Sequence, residues 1–118
     1  MKRPEDKLQR SIVDWVRLVC PTHIIFSIPN GGARSMAEGQ MLRLTGMLAG
    51  IPDLCLIGPG GKAYFIECKS DSGALSARQR AIIDRFIEMS VPYCVARSVE
   101  DVRVAMTIYW KIPTREAA

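Results

Sequence analysis

The chain has 118 residues, 48% of them hydrophobic and 24% charged, with a formal net charge of +4 and a pI near 9.1. That length suits a single domain over residues 1–118, and its apolar share supports an ordinary globular core. No apolar run approaches the roughly 18 residues of a membrane span, and the charged start Met1-Lys2-Arg3-Pro4-Glu5-Asp6 lacks the apolar stretch of a secretory signal.

Residues 5–19 read as the first helix, because Leu8, Ile12, Trp15, Val16 and Val19 recur at helical spacing. Pro4, Glu5 and Asp6 suit its first turn and Pro21 stops it. Residues 23–28 read as a buried strand, followed by the turn Pro29-Asn30-Gly31-Gly32. Residues 36–48 are ambiguous: Met36, Met41, Leu42, Leu44 and Met47 fit a short helix that Gly39 and Gly46 interrupt. Residues 53–57 and 62–69 form a hairpin across Gly58-Pro59-Gly60-Gly61. Residues 76–89 carry the clearest helix signal, a Ser76/Gln79 capping box with an apolar face of Ile82, Ile83, Phe86 and Ile87. Residues 92–97 are a strand, and Ser98 caps a last helix to about residue 110, with Pro113 beyond it. The order predicts an α/β fold of three layers, a mixed β-sheet flanked by helices.

Asp53 opens one hairpin strand while Glu67 and Lys69 end its antiparallel partner, so the three charged groups meet at one end of the sheet. Side chains two apart on a strand share a face, about 6.6 Å from each other. Glu67 and Lys69 therefore lie on one face, and Ile66 and Cys68 on the other. Burying such charges is costly unless they are paired or bind a metal. Two carboxylates suit Mg²⁺ or Mn²⁺, which take oxygen ligands. The ion would polarise a scissile phosphate and acidify a water, and the lysine would orient that water or stabilise charge on the phosphorane. The Cys68 carbonyl is a further candidate ligand, since its side chain points away. Set against this, Glu-x-Lys is common on strands as a solvated pair. Two neighbours favour the functional reading: Pro52 restricts the approach to Asp53, and Tyr64-Phe65-Ile66 is too apolar for an exposed edge.

Other candidates have plainer readings beside them. Glu5 lies in line with Gln9, Ile12 and Val16 on the core-facing stripe, so it points toward the site, although a first-turn acid also serves the helix dipole. Gln79 shares a face with Ile83 and Phe86, and its capping role explains it equally well. Asn30-Gly31-Gly32 with Arg34 would let backbone amides approach a phosphate, or is a plain loop. Lys62, Arg78, Arg80 and Arg85 are candidate phosphate contacts or solvated surface. His23 reads as structural, and Trp15 and Trp110 as core. The four cysteines, Cys20, Cys55, Cys68 and Cys94, include no C-x-x-C pair and face a single histidine, which argues against zinc. Three of them sit in or beside apolar runs and read as reduced and buried, as in a cytoplasmic protein.

Taken in order, Glu5 with Gln9, Pro29-Asn30-Gly31-Gly32, Gly50-Ile51-Pro52-Asp53-Leu54, Phe65-Ile66-Glu67-Cys68-Lys69 and Gly73-Ala74-Leu75-Ser76-Ala77-Arg78-Gln79 resemble the VRR-NUC domain of the PD-(D/E)XK nuclease superfamily. The likeness runs from about residue 5 to 105. It implies a restriction-endonuclease-like core. Asp53, Glu67 and the Cys68 carbonyl would be the metal ligands, Lys69 the catalytic lysine, and Glu5 and Gln79 auxiliary site residues. It further implies a small phage or bacterial nuclease, similar in fold to Holliday junction resolvases, that dimerises and cuts branched DNA in the cytoplasm. The alternatives are a non-catalytic nucleic-acid-binding module of the same fold, which would have no need of the acidic pair, and a restriction-like enzyme that reads a base sequence.

Overall fold

A computed structural model describes residues 4–29 and 35–115. Helix α1 (Pro4–Val19) leads to strand β1 (Ile24–Ser27), and helix α2 (Met36–Leu44) to the hairpin of β2 (Leu54–Ile57) and β3 (Ala63–Cys68). Helix α3 (Ala77–Met89), strand β4 (Tyr93–Ala96) and helix α4 (Val99–Val104) complete the chain, α4 passing into a π-helical turn at Ala105–Tyr109. The sheet order is β1-β2-β3-β4, with β1/β2 and β2/β3 antiparallel and β3/β4 parallel. The mixed sheet between helices is the predicted α/β arrangement.

Period-two alternation builds the layers. Leu54 pairs with Ile66 and Leu56 with Tyr64, and these four, with Cys68, join Ile12 and Val16 of α1 and Val102 of α4 in one core cluster. The alternate residues serve the opposite face, where the Phe65 ring lies 4.9 Å from that of Phe86 on α3. Burying side chains such as Ile12, Leu54, Leu56 and Ile66 contributes roughly 1.5–3 kcal/mol each.

Three expectations need correction. Strand β1 is not buried: it is an edge, with Ile24 67% exposed and only Ile25 packed inside. A largely apolar segment says nothing of whether a partner covers its second face. The apolar face of α3 is narrower than its pattern, for Ile83 and Phe86 are buried while Ile87 is 60% exposed. The ambiguous segment is helical only to Leu44, because Gly46 adopts φ +115°, open to glycine and not to other residues, and its amide bonds the Arg43 carbonyl. The capping box of Ser35 and Glu38 starts this helix, yet none of its residues is buried. The last helix, capped by Ser98, runs as expected to Tyr109, α-helical to Val104 and π-helical beyond. No described helix is long and apolar enough to cross a membrane.

Candidate active site

Strand register does most of the assembly. Because Leu54 stands opposite Ile66, the next pair outward is Asp53 and Glu67. The Asp53 carboxylate reaches across to accept a hydrogen bond from the Cys68 amide at 2.8 Å, and its carbonyl accepts one from Ile28 at 2.7 Å. Pro52, itself buried, precedes it. Before that, Gly50 adopts φ +91°, and a Cβ there would meet the Arg78 carbonyl oxygen at 2.6 Å. Only glycine lets the segment leading to Asp53 pass so close to the start of α3.

A cleft of about 370 Å³ opens at this end of the sheet. Its walls come from the first turns of α1 (Glu5, Asp6, Gln9), the end of β1 (Ser27 to Pro29), Asp53, Glu67-Cys68-Lys69 and Gln79. All the predicted site residues therefore line one cavity. Asn30 to Arg34, the glycine-bearing loop read as a phosphate contact, lie outside the described residues. His23 is elsewhere, bonded through Nδ1 to Thr22 Oγ1 at 2.9 Å and packed near Tyr64.

Glu67 dominates the electrostatics. It is only 4% exposed, the one buried charged residue among those described. Burial pushes its carboxyl up to about 8; the negative charge of Asp53 pushes the same way, and Lys69 opposes both. The Gln79 side-chain amide donates to Glu67 Oε2 at 3.1 Å, while its Oε1 accepts from the Ser76 amide at 2.9 Å. Capping α3 and reaching Glu67 are not alternatives: one side chain makes both contacts, its two ends serving different partners. Glu5 also serves twice. Hydrogen bonds from its own backbone amide and from Ser70 hold its carboxyl below the usual range, and the Ser70 contact, at 3.2 Å, ties α1 to the segment after β3.

The donor set fits a hard divalent cation. Two adjacent carboxylates, one of them buried with its charge poorly compensated, form a site that a cation would neutralise. The Cys68 thiol is packed in the core and raised well above its ordinary value by burial, so Cys68 can offer only its main-chain oxygen. Among the described residues no three His, Cys, Asp or Glu side chains gather as an ion site by themselves. Two carboxylates completed by a carbonyl, water and substrate phosphate are what Mg²⁺ commonly uses.

Two contacts beside the cleft escaped the sequence reading. Ser70 contributes through its backbone amide, which no side-chain pattern reveals. Arg97, which carries no motif in the sequence, bonds through its guanidinium the loop that follows Lys69. All four cysteines are free; Cys20, Cys55 and Cys68 are buried, while Cys94, read from the sequence as buried, is only partly so.

Comparison with known proteins bears on the family and the fold. The profile of the VRR-NUC domain matches residues 1–100. A solved chain described as "VRR_NUC domain protein" superposes with a TM-score of 0.70 at 21% identity, covering 96% of this chain and 93% of its own. Another, described as "VRR_NUC domain", gives a TM-score of 0.62 at 20% identity, with coverage of 89% and 96%. These two likenesses speak for the fold. No curated protein matches. By the profile match over most of its length, the chain belongs to the VRR-NUC family of nuclease-type domains.

Proposed function

We propose that this protein is a Mg²⁺- or Mn²⁺-dependent DNA endonuclease that hydrolyses phosphodiester bonds, selects branched DNA such as four-way junctions, and acts as a homodimer. The observation that carries the reading is the buried Glu67 carboxylate beside Asp53, with Lys69 and Gln79 around it in one cleft. A purely structural position would favour an apolar residue there, since an uncompensated buried charge is costly.

Asp53, Glu67 and the Cys68 carbonyl would hold the cation. When bound, it supplies Lewis-acid polarisation of the scissile phosphate and makes water a better nucleophile. The Lys69 ammonium, whose positive charge acts on both Glu67 and Glu5, donates hydrogen bonds to the attacking water or to a phosphate oxygen as charge builds in the transition state. Gln79 fixes the rotamer of Glu67 through its amide. Glu5 anchors the backbone just after Lys69.

Selectivity for branched DNA rests on the family resemblance, and a two-fold dimer would set two such clefts on two strands of a junction. The apolar residues that one copy leaves uncovered on β1 and α2, Ile24, Phe26, Met36 and Leu44 among them, are consistent with a second copy. The test is a panel of linear, flap, splayed and four-way DNA with Mg²⁺, Mn²⁺ or chelator, run with sedimentation. The expected result is metal-dependent cutting, fastest on branched DNA, by a species of twice 13.1 kDa. DNA binding indifferent to chelator, with no cutting in Mn²⁺, would favour a binding module instead.

A further inference from the structure

The segment after β3 carries Lys69 and Ser70 past the cleft, and its shape is held from outside. It closes as a turn in which the Gly73 amide donates to the Ser70 carbonyl at 3.1 Å. A side chain at Gly73 would crowd this turn, since a Cβ there meets Ser70 Oγ at 2.9 Å and lies 3.6 Å from Lys69 Cδ. Arg97, just beyond β4, lays its guanidinium against the same turn. Its Nη1 donates to the carbonyls of Ser70 at 2.5 Å and Gly73 at 2.7 Å, with that of Asp71 at 3.5 Å. Arg97 is itself seated: its amide donates to Asp101 Oδ2 at 2.8 Å, and the Asp101 amide bonds the Ser98 cap.

We propose that Arg97 is a positioning residue for the cleft, clamping the Ser70–Gly73 turn so that the Ser70 amide meets Glu5 and the Lys69 backbone stays in register. The Ser70 residue is gripped at both ends, its amide by Glu5 and its carbonyl by Arg97. One residue earlier, the Lys69 amide donates to the Ala96 carbonyl at 3.0 Å. Lys69 thus leaves a backbone held on either side of it, with Arg97, just beyond β4, gripping the residue that follows. The contacts of Arg97 with the turn all come from Nη1 at the tip of a planar, pre-organised guanidinium, whose geometry a flexible lysine ammonium reproduces only in part.

The kinetic part of this proposal rests on the nuclease reading, and the geometric part does not. The experiment therefore compares wild type, Arg97→Ala and Arg97→Lys in two ways. Amide hydrogen exchange is followed at Ser70, with Ile66 and Val102 as core references, in the metal-free protein. DNA cleavage in Mn²⁺ is resolved into kcat and KM. In Arg97→Ala, Ser70 should exchange about tenfold faster while the core references stay unchanged. Its kcat should fall by roughly tenfold to a hundredfold with KM within about twofold. Arg97→Lys should fall between. Added guanidinium should restore part of kcat in Arg97→Ala, since the groove of about 750 Å³ beside Arg97 and Gly73 admits it. The proposal is overturned if Ser70 exchange does not change, if the core references loosen by the same factor, or if Ser70 loosens and kcat does not move. A wild type that cuts no DNA defeats the nuclease reading alone, and the exchange data still decide the clamp.

Discussion

At the residue scale, Glu67 sets the behaviour of the site. Its folded-state value, about 8, lies above the ordinary 4.5 of the unfolded chain. The folded protein therefore binds this proton more tightly, and its contribution to stability is full below the unfolded value and lost as pH rises through the folded one. The metal-free protein should lose stability between about pH 4.5 and 8. Glu67→Gln should flatten that decline; urea unfolding in chelator across this range measures it, and parallel curves for the two proteins would refute it. Cation binding requires the carboxylate, so it should release a proton and strengthen toward pH 8. Gln79 permits a cleaner dissection. Gln79→Glu keeps a side chain able to cap α3 yet replaces the amide that holds Glu67 with a carboxylate. Cleavage should slow by roughly 10–100-fold with the helical circular dichroism of α3 retained, whereas loss of helix without loss of rate would reverse the assignment of roles.

At the scale of elements, what the sequence made legible was local. Asp53, Glu67 and Lys69 were readable as a cluster because a hairpin with a short turn dictates its own register. The Ser76/Gln79 box was readable because capping spans only three residues. The exposure of β1 and α2 was not readable, since an apolar run looks the same whether its second face meets a helix or nothing. The second end of Gln79 was equally hidden: its amide meets Glu67 only through packing of α3 on β3. Gly50 shows the same limit, since its motif drew notice for Pro52 and Asp53, and only the packed structure shows α3 beside it. Gly50→Ala should cost on the order of 2–3 kcal/mol, combining an unfavourable backbone conformation with a backbone clash. Ser76→Ala should cost about 1 kcal/mol through the lost cap. Thermal unfolding would compare the two, and equal small losses would show that the close approach to Arg78 is unimportant.

At the scale of the molecule, the fold brings residues as far apart in the chain as Glu5 and Gln79 to one end of a four-stranded sheet. Helix α1 contributes Glu5, the hairpin contributes Asp53, Glu67 and Lys69, and α3 contributes Gln79, each placed by an element whose other face is core. The apolar interior thereby surrounds a buried carboxylate with limited compensation, which is the physical reason to expect a cation and a phosphate there. The most direct test of that expectation is metal-dependent cleavage of a labelled four-way junction by wild type and by Asp53→Ala, Glu67→Ala and Lys69→Ala, with junction binding measured alongside. The account predicts cutting by wild type in Mn²⁺ or Mg²⁺, loss of at least about a hundredfold in each variant, and binding that persists. Equal cutting by all four proteins would contradict it.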